Sequence, residues 1–241
     1  MGPLQHEHRN QLDESFFAEG YNLAHAFLFK EFSKENLFAA QRRLFTVVDE
    51  LIASFLGHAA EQGSPTECRM GCSFCCHQTV LASPPELFFL ADFLQKKFRE
   101  DALQVILDRA KAKHGETAKL RMDKLLKYKK TCPLLHPTGG YCRAYQARPI
   151  ACRIYLSKSV KSCENDLNTP NDDSVFPDLF EWPLRAGRML NEGFLARVRK
   201  GREDSLQMTE TTIESGILKA SETGNLAKWI SGKNSFPPNR L

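Results

Sequence analysis

Eight cysteines dominate what this 241-residue chain can fold into, and they fall into two groups. The first reads Cys68-Arg-Met-Gly-Cys72-Ser-Phe-Cys75-Cys76, and the second is Cys132, Cys142, Cys152 and Cys163 at nearly even intervals. Four thiols within nine residues, two of them adjacent, are most simply explained as ligands for a soft metal or an iron–sulfur cluster. The constraint on the fold is direct. Segments far apart in sequence have to return to one place, and all eight residues are candidate metal ligands.

Spacing refines the chemistry. Cys72-x-x-Cys75 is the knuckle spacing in which two sulfurs face one centre while backbone amides support them. Adjacent Cys75 and Cys76 project in different directions, which suits a multinuclear cluster, two neighbouring metals, or one ligand beside one free thiol. Cys132-Pro133 is the Cys-Pro step found in bacterial ferredoxins. Cys152 is placed near a helix N-terminus, where amides favour an anion. Cys72, Cys75, Cys142 and Cys152 rank first as ligands, Cys76 and Cys132 next, Cys68 and Cys163 last. Zinc and iron both accept four thiolates, so zinc, iron and a 4Fe–4S cluster all remain open as cofactors. His77 and His136 lie where an imidazole would replace a thiolate, but sulfur is already plentiful. Arg143, Arg148 and Arg153 flank the second group and are placed to balance its negative charge. Tyr145 and Tyr155 are read first as packing residues.

Bulk properties set the compartment and the partners. A chain of this length buries a core without needing disulfides, so the thiols are expected to stay reduced. The polar start Met1–Asn10 carries no signal peptide, and Pro3 and His6 oppose N-myristoylation. No run reaches the length of a membrane span. The expected location is cytoplasmic. The formal charge of +4 does not point to nucleic acid, and binding one divalent ion through four thiolates would lower it to about +2. Residues 111–130 are locally basic: Lys111, Lys113, Lys119, Arg121, Lys124, Lys127, Lys129 and Lys130 face only Glu116 and Asp123. That pattern reads first as a solvated helix face and second as a docking surface for an acidic partner or a phosphate backbone.

Periodicity predicts an all-α fold around an irregular cysteine-rich core. Residues 11–32 and the stripe Leu44, Val48, Leu51, Ile52, Phe55 predict N-terminal helices. Gly57 and Gln62-Gly-Ser-Pro65 are expected to break the pattern. Ser83-Pro84-Pro85-Glu86 predicts a capped helix start, followed by the apolar face Leu87, Leu90, Ala91, Leu94, Phe98, widened by Phe88, Phe89 and Phe93. Helical pattern continues through Leu103, Ile106, Leu107 and Ala110. A turn or small hairpin is expected over 136–142, and a short helix after Arg148-Pro149. Residues 164–179 read as a mobile loop. Helices follow at Leu190–Val198 and Ile213–Leu218, and the Trp229 segment reads as a packed terminus. Three pieces result: a helical extension over 1–62, the cysteine-cluster domain over 63–165, and a loop with helices over 166–241 packing on it.

Taken together, Gly71-Cys72-Ser-x-Cys75-Cys76, Ser83-Pro-Pro-Glu86, Cys132-Pro-Leu-Leu135, Gly140-Tyr-Cys142-x-x-Tyr145 and Arg148-Pro-x-x-Cys152-Arg153-x-Tyr155 are similar to one family. The chain resembles the YkgJ-type cysteine-cluster proteins, a zinc- or iron-chelating family with a CxxCxxCC signature. Cys68, Ser157 and Cys163 fit as well, so the resemblance covers roughly 68–163. It implies a mostly helical, cytoplasmic metal domain. The flagellin lysine-N-methylases share the cysteine signature, which adds cluster-assisted methyl transfer to a protein as one function, although this chain is shorter. Three readings therefore stand: a metal- or cluster-binding protein, an iron–sulfur enzyme, or an interaction module whose zinc is structural. Radical chemistry with S-adenosylmethionine fits Cys68-x-x-x-Cys72-x-Phe74-Cys75, but no alternating strand–helix pattern supports its barrel.

Overall fold

The structure, a computed structural model, describes residues 3–200, 202, 205–233, 235 and 236, with side chains from residue 10 onward. The readings made on Met1 to Arg9 as side chains, and on Asn234 and Pro237-Pro238 of the tail, lie outside it. Two long helices come first, α1 (Pro3–Leu28) and α2 (Lys34–Glu61). Ser33 caps α2 by accepting the Asn36 amide at 3.3 Å, and of the predicted stripe Leu44, Val48 and Ile52 are buried while Leu51 and Phe55 are half-buried. Gly57 does not interrupt α2. It lies on an open part of the surface with nothing for a side chain to meet, so the helix continues to Glu61 and stops at Gly63, whose φ of 72° is left-handed.

The Ser83 start behaves as its residues dictate. Helix α3 (Pro84–Lys97) opens with proline in its first turn, and Glu86 accepts both the Ser83 amide at 2.9 Å and the Ser83 hydroxyl at 2.7 Å. The helix is buried on more than one side. Phe89 meets Phe38 and Phe45 of α2 edge-on at 5.6 and 5.5 Å, and Phe88 meets Trp229 and Phe236 from the C-terminal end at 5.5 and 5.2 Å. Helices α4 (Glu100–Thr117) and α5 (Met122–Lys127) follow, then the short α6 (Ile150–Ile154) and α7 (Val160–Asn168). The expected loop over 164–179 is thus helical through Asn168, because Ser159 caps α7 by accepting the Ser162 amide at 3.2 Å. Helix α8 (Glu181–Arg199) then lies along α1, and α9 (Ile213–Ala220) and α10 (Asn225–Ile230) complete the chain.

Among the described residues the sheet content is one antiparallel pair, β1 (Leu81–Ala82) with β2 (Thr211–Thr212), in the register Leu81 to Thr212 and Ala82 to Thr211. The all-α expectation holds. A single hydrophobic core runs through all three expected pieces, from Leu23 and Leu44 through Leu90 and Ile150 to Phe194, Ile217 and Trp229. The α1–α8 crossing depends on two glycines. A Cβ on Gly20 would collide with the carbonyl of Leu190, and one on Gly193 would collide with that of Phe17.

Much of the basic stretch is matched inside the fold. Lys113 faces Glu214, Lys127 faces Asp173 at 2.5 Å, Lys129 faces Asp166 at 2.7 Å, Arg121 faces Asp123 at 3.5 Å and Lys130 pairs with Glu116. Lys111, Lys119 and Lys124 carry no ion pair among the described residues. No helix among the described residues is long and apolar enough to cross a membrane.

Candidate metal centre

The cysteines reach one region through short, irregular backbone held by specific bonds. Cys75 and Cys76 sit on a single 3-10 turn, Phe74–His77, entered from the left-handed Gly71 at φ 88°. The Cys132 amide donates to the Cys76 carbonyl at 2.7 Å, and the Lys130 amide to that of His77 at 2.8 Å. The second group therefore begins directly alongside the first. Cys132 and Cys142 stand on the two arms of the predicted turn, closed by the Leu135–Cys142 bridge and by the His136 amide on Tyr141 at 2.8 Å. At its tip Gly140 adopts φ 64° and lies against the Gly71 backbone, where a Cβ would approach the Gly71 oxygen to 3.0 Å. The two glycines let the loops touch.

Cys152 lies in the first turn of α6, as Arg148-Pro149 predicted, and that turn is fixed by a residue the sequence reading assigned only to α3. The second oxygen of Glu86 accepts the Ile150 amide at 2.8 Å. On the other side, Ser157 joins two more cysteines. Its amide donates to the Cys68 sulfur at 3.2 Å, and its hydroxyl favours thiolate at Cys163 on α7, against the larger opposing effect of burial. Ser157 itself is buried and also donates to the Asp178 carbonyl at 3.0 Å.

All eight thiols are free. Burial is the main influence on five of them: it pushes Cys132 up to about 11 and Cys152 well above its ordinary value, and it raises Cys72, Cys142 and Cys163. Neighbouring sulfurs add to the effect, since clustered thiolates repel one another. Backbone amides oppose it at three places: Phe74 at Cys72, Leu134 at Cys132 and Ala144 at Cys142, each two residues beyond its cysteine. Cys75 is lowered to about 7, first by its hydrogen bond with Cys76 and further by Arg148, while Cys76 is raised by the same bond. Of the flanking arginines, Arg148 is the one that acts on sulfur, favouring thiolate at Cys75, Cys142 and Cys152. It is stacked 3.7 Å over the Tyr145 ring and lies 3.5 Å from Asp49. Arg153 instead is buried against Phe45 and Asp49, and Arg143 lies over Phe98.

The sulfurs fall into two neighbourhoods that share Cys75. Cys76 is influenced by Cys75, Cys132 and Cys142, and Cys152 by Cys132, Cys142 and Cys75. Cys72 is influenced by Cys68 and Cys75, and Cys163 by Cys68, Cys75 and Cys72. Cys142 is influenced by Cys75 too, so the first-ranked residues Cys72 and Cys142 have that neighbour in common. Among the described residues, no three or more His, Cys, Asp or Glu side chains are set as they stand to hold a metal ion. The thiols are neighbours, not a closed cage.

The histidines are engaged locally. His136 stacks on Tyr141 at 4.6 Å and its Nδ1 accepts the Gly139 amide at 3.0 Å; His77 Nδ1 faces the Ser73 carbonyl at 3.1 Å. Tyr155 does more than pack, since its hydroxyl accepts Gln78 Nε2 at 2.8 Å, and Gln78 continues to Asp166 at 3.1 Å. Sequence reasoning missed Glu86 as the cap of α6 and Lys113 as a buried ion. No local signal could have marked either, because both act across long sequence separations.

The comparison with family models is decided by this same region. Residues 67–172 match the CxxCxxCC family. Its description is "Putative zinc- or iron-chelating domain". The CxxCxxCC segment runs from Glu67, beside Cys68, to Asp172, past Cys163, and so contains all eight cysteines. It leaves out the helices on either side. No curated protein and no solved structure matches the chain. The match supports binding of zinc or iron in general terms. The donor set fits that description, since thiols are the ligands that zinc and iron share.

Proposed function

We propose that this protein binds zinc or iron through its eight cysteines, with the first and second cysteine groups contributing together. One observation carries the reading. Free thiols from separate segments are gathered beside one another, and backbone amides two residues downstream support Cys72, Cys132 and Cys142. Burial and mutual repulsion make such a set hold its protons; a soft cation reverses both effects by accepting the sulfur charge. Bound metal would supply charge neutralisation and a covalent tie between distant segments. The residues themselves do the rest: Glu86 fixes the turn of Cys152, the Ser157 amide holds the Cys68 sulfur, and Arg148 favours thiolate at Cys75, Cys142 and Cys152.

The test is elemental and acid-labile sulfide analysis of full-length protein prepared without oxygen and with reductant. Zinc or iron in stoichiometric amount supports the reading, and a protein that takes up neither metal from excess overturns it. Sulfide in step with iron, together with broad absorption near about 400 nm, identifies the iron–sulfur form.

A further inference from the structure

Resting on that reading, we propose that the eight cysteines form two separate four-sulfur centres, divided at the adjacent pair Cys75-Cys76. The inner centre is Cys76, Cys132, Cys142 and Cys152; the outer centre is Cys68, Cys72, Cys75 and Cys163. Each takes one soft divalent cation.

The backbone makes the division. Cys76 is joined to Cys132 by the 2.7 Å amide–carbonyl bond, Cys132 to Cys142 by the hairpin, and Cys152 is set by the Glu86 cap on α6. Cys132, Cys142 and Cys152 also pack against the main hydrophobic core, which none of Cys68, Cys72, Cys75 and Cys76 does. The outer set is gathered by Ser157, whose amide donates to the Cys68 sulfur at 3.2 Å, and by the packing of α7, the helix of Cys163, against the 3-10 turn that carries both Cys75 and Cys76. Cys68 and Cys72 sit on a loop without regular structure whose Met70 is 92 % exposed. The Cys75 and Cys76 sulfurs lie side by side on one turn, so the Cys-Cys step can supply one sulfur to each of two neighbouring centres. Eight sulfurs in two tetrahedral sets also match the four-coordinate preference of both zinc and iron held by thiolate.

The two centres differ in access. The inner one is built on the core and clamped from outside by Arg109, whose guanidinium donates to the Leu135 carbonyl at 2.7 Å and the Cys132 carbonyl at 3.2 Å. The outer one is bounded by an exposed loop, so it exchanges its ion first.

Cobalt(II) is the probe, because its thiolate absorption reports each tetrahedral site without any activity. Full-length reduced protein should bind about two equivalents and release them to a chelator in two phases. Cys142→Ser and Cys152→Ser, singly or together, should lose about one equivalent and the slow phase. Cys68→Ser and Cys163→Ser should lose the fast phase, and one substitution from each set should abolish tight binding. Cys76→Ser should behave as an inner change and Cys75→Ser as an outer one. Should an inner variant fail to keep its helical circular dichroism, the Cys68 and Cys163 variants with the two-phase release of the unaltered protein decide the matter. Loss of both equivalents from Cys75→Ser, or a protein that binds only one equivalent in all and loses it on any one substitution, overturns the division while leaving metal binding intact. Protein that binds no cobalt, zinc or iron overturns the underlying reading instead.

Discussion

Glu86 accepts the Ile150 amide at 2.8 Å with one carboxylate oxygen and holds Ser83 with the other. A single buried side chain therefore caps α3 and also α6, the helix of Cys152. Glu86→Gln puts an amide donor where one of these backbone donors now points, leaving a buried donor unsatisfied. It should destabilise the protein by about 1–3 kcal/mol. Urea unfolding under reductant measures this, and an unchanged midpoint would show that the second oxygen is idle.

Lys113 and Glu214 form an ion pair at 3.9 Å between α4 and α9, and both side chains are almost wholly buried. Lys113 also donates to the Lys130 carbonyl at 3.0 Å, and Glu214 accepts the Thr117 hydroxyl at 3.2 Å. Lys113→Met leaves the carboxylate uncompensated and should cost about 3–5 kcal/mol. The double change Lys113→Met with Glu214→Leu should recover part of that loss. A double-mutant cycle on unfolding free energies is the measurement, and strict additivity would show that the two residues do not interact.

Gly20 and Gly193 allow α1 and α8 to touch backbone to backbone. Alanine at either position has to push a helix aside and should cost at least about 1–3 kcal/mol. Gly57, exposed within α2, is the control: Gly57→Ala should stabilise by about 0.5–1 kcal/mol, from helix propensity alone. Thermal unfolding of the three variants in parallel checks both signs.

Burial holds the Cys132 thiol at about 11 against an ordinary 9.0, and the Tyr155 hydroxyl at about 12 against 10.0. A group that binds its proton more tightly when folded contributes fully below its ordinary value and loses that contribution as pH rises through the folded one. Chelator-treated, reduced protein should therefore lose stability steadily from about pH 9 to pH 12. Unfolding midpoints across that range test it, and Cys132→Ser should flatten the lower half of the decline.

Lys111, Lys119 and Lys124 carry no ion pair among the described residues, unlike Lys127, Lys129 and Lys130. Reversing the first three to glutamate should shift stability by less than about 0.5 kcal/mol. Reversing Lys130 breaks its pairing with Glu116, so it is the poorer probe of any acidic partner. Comparing the two sets by thermal unfolding distinguishes surface charge from internal pairing.

The elements legible in the sequence were those specified by local chemistry. The Ser83-Pro-Pro-Glu86 cap, the Leu44–Ile52 stripe and the turn before Cys142 each carry their instruction within a few residues. Gly57 misled because glycine disfavours a helix without forbidding one, and α2 has enough burial on its other face to carry it. Residues 164–168 misled because their polar composition hid a serine cap at Ser159. The company each cysteine keeps was not legible. It depends on Ser157, Glu86 and the Cys76–Cys132 backbone bond, and those partners are up to 89 residues apart in the case of Cys68 and Ser157.

Three parts of the structure lie beyond Asp172, where the family match stops: β2 beside β1, Glu214 facing Lys113, and Gly216, against which Leu87 rests. A fragment trimmed to the recognisable stretch would expose the α3 face and strand a lysine in its interior. The unit that folds is thus longer than the signature by which it is detected, and shortened versions of this protein should be cut outside α9.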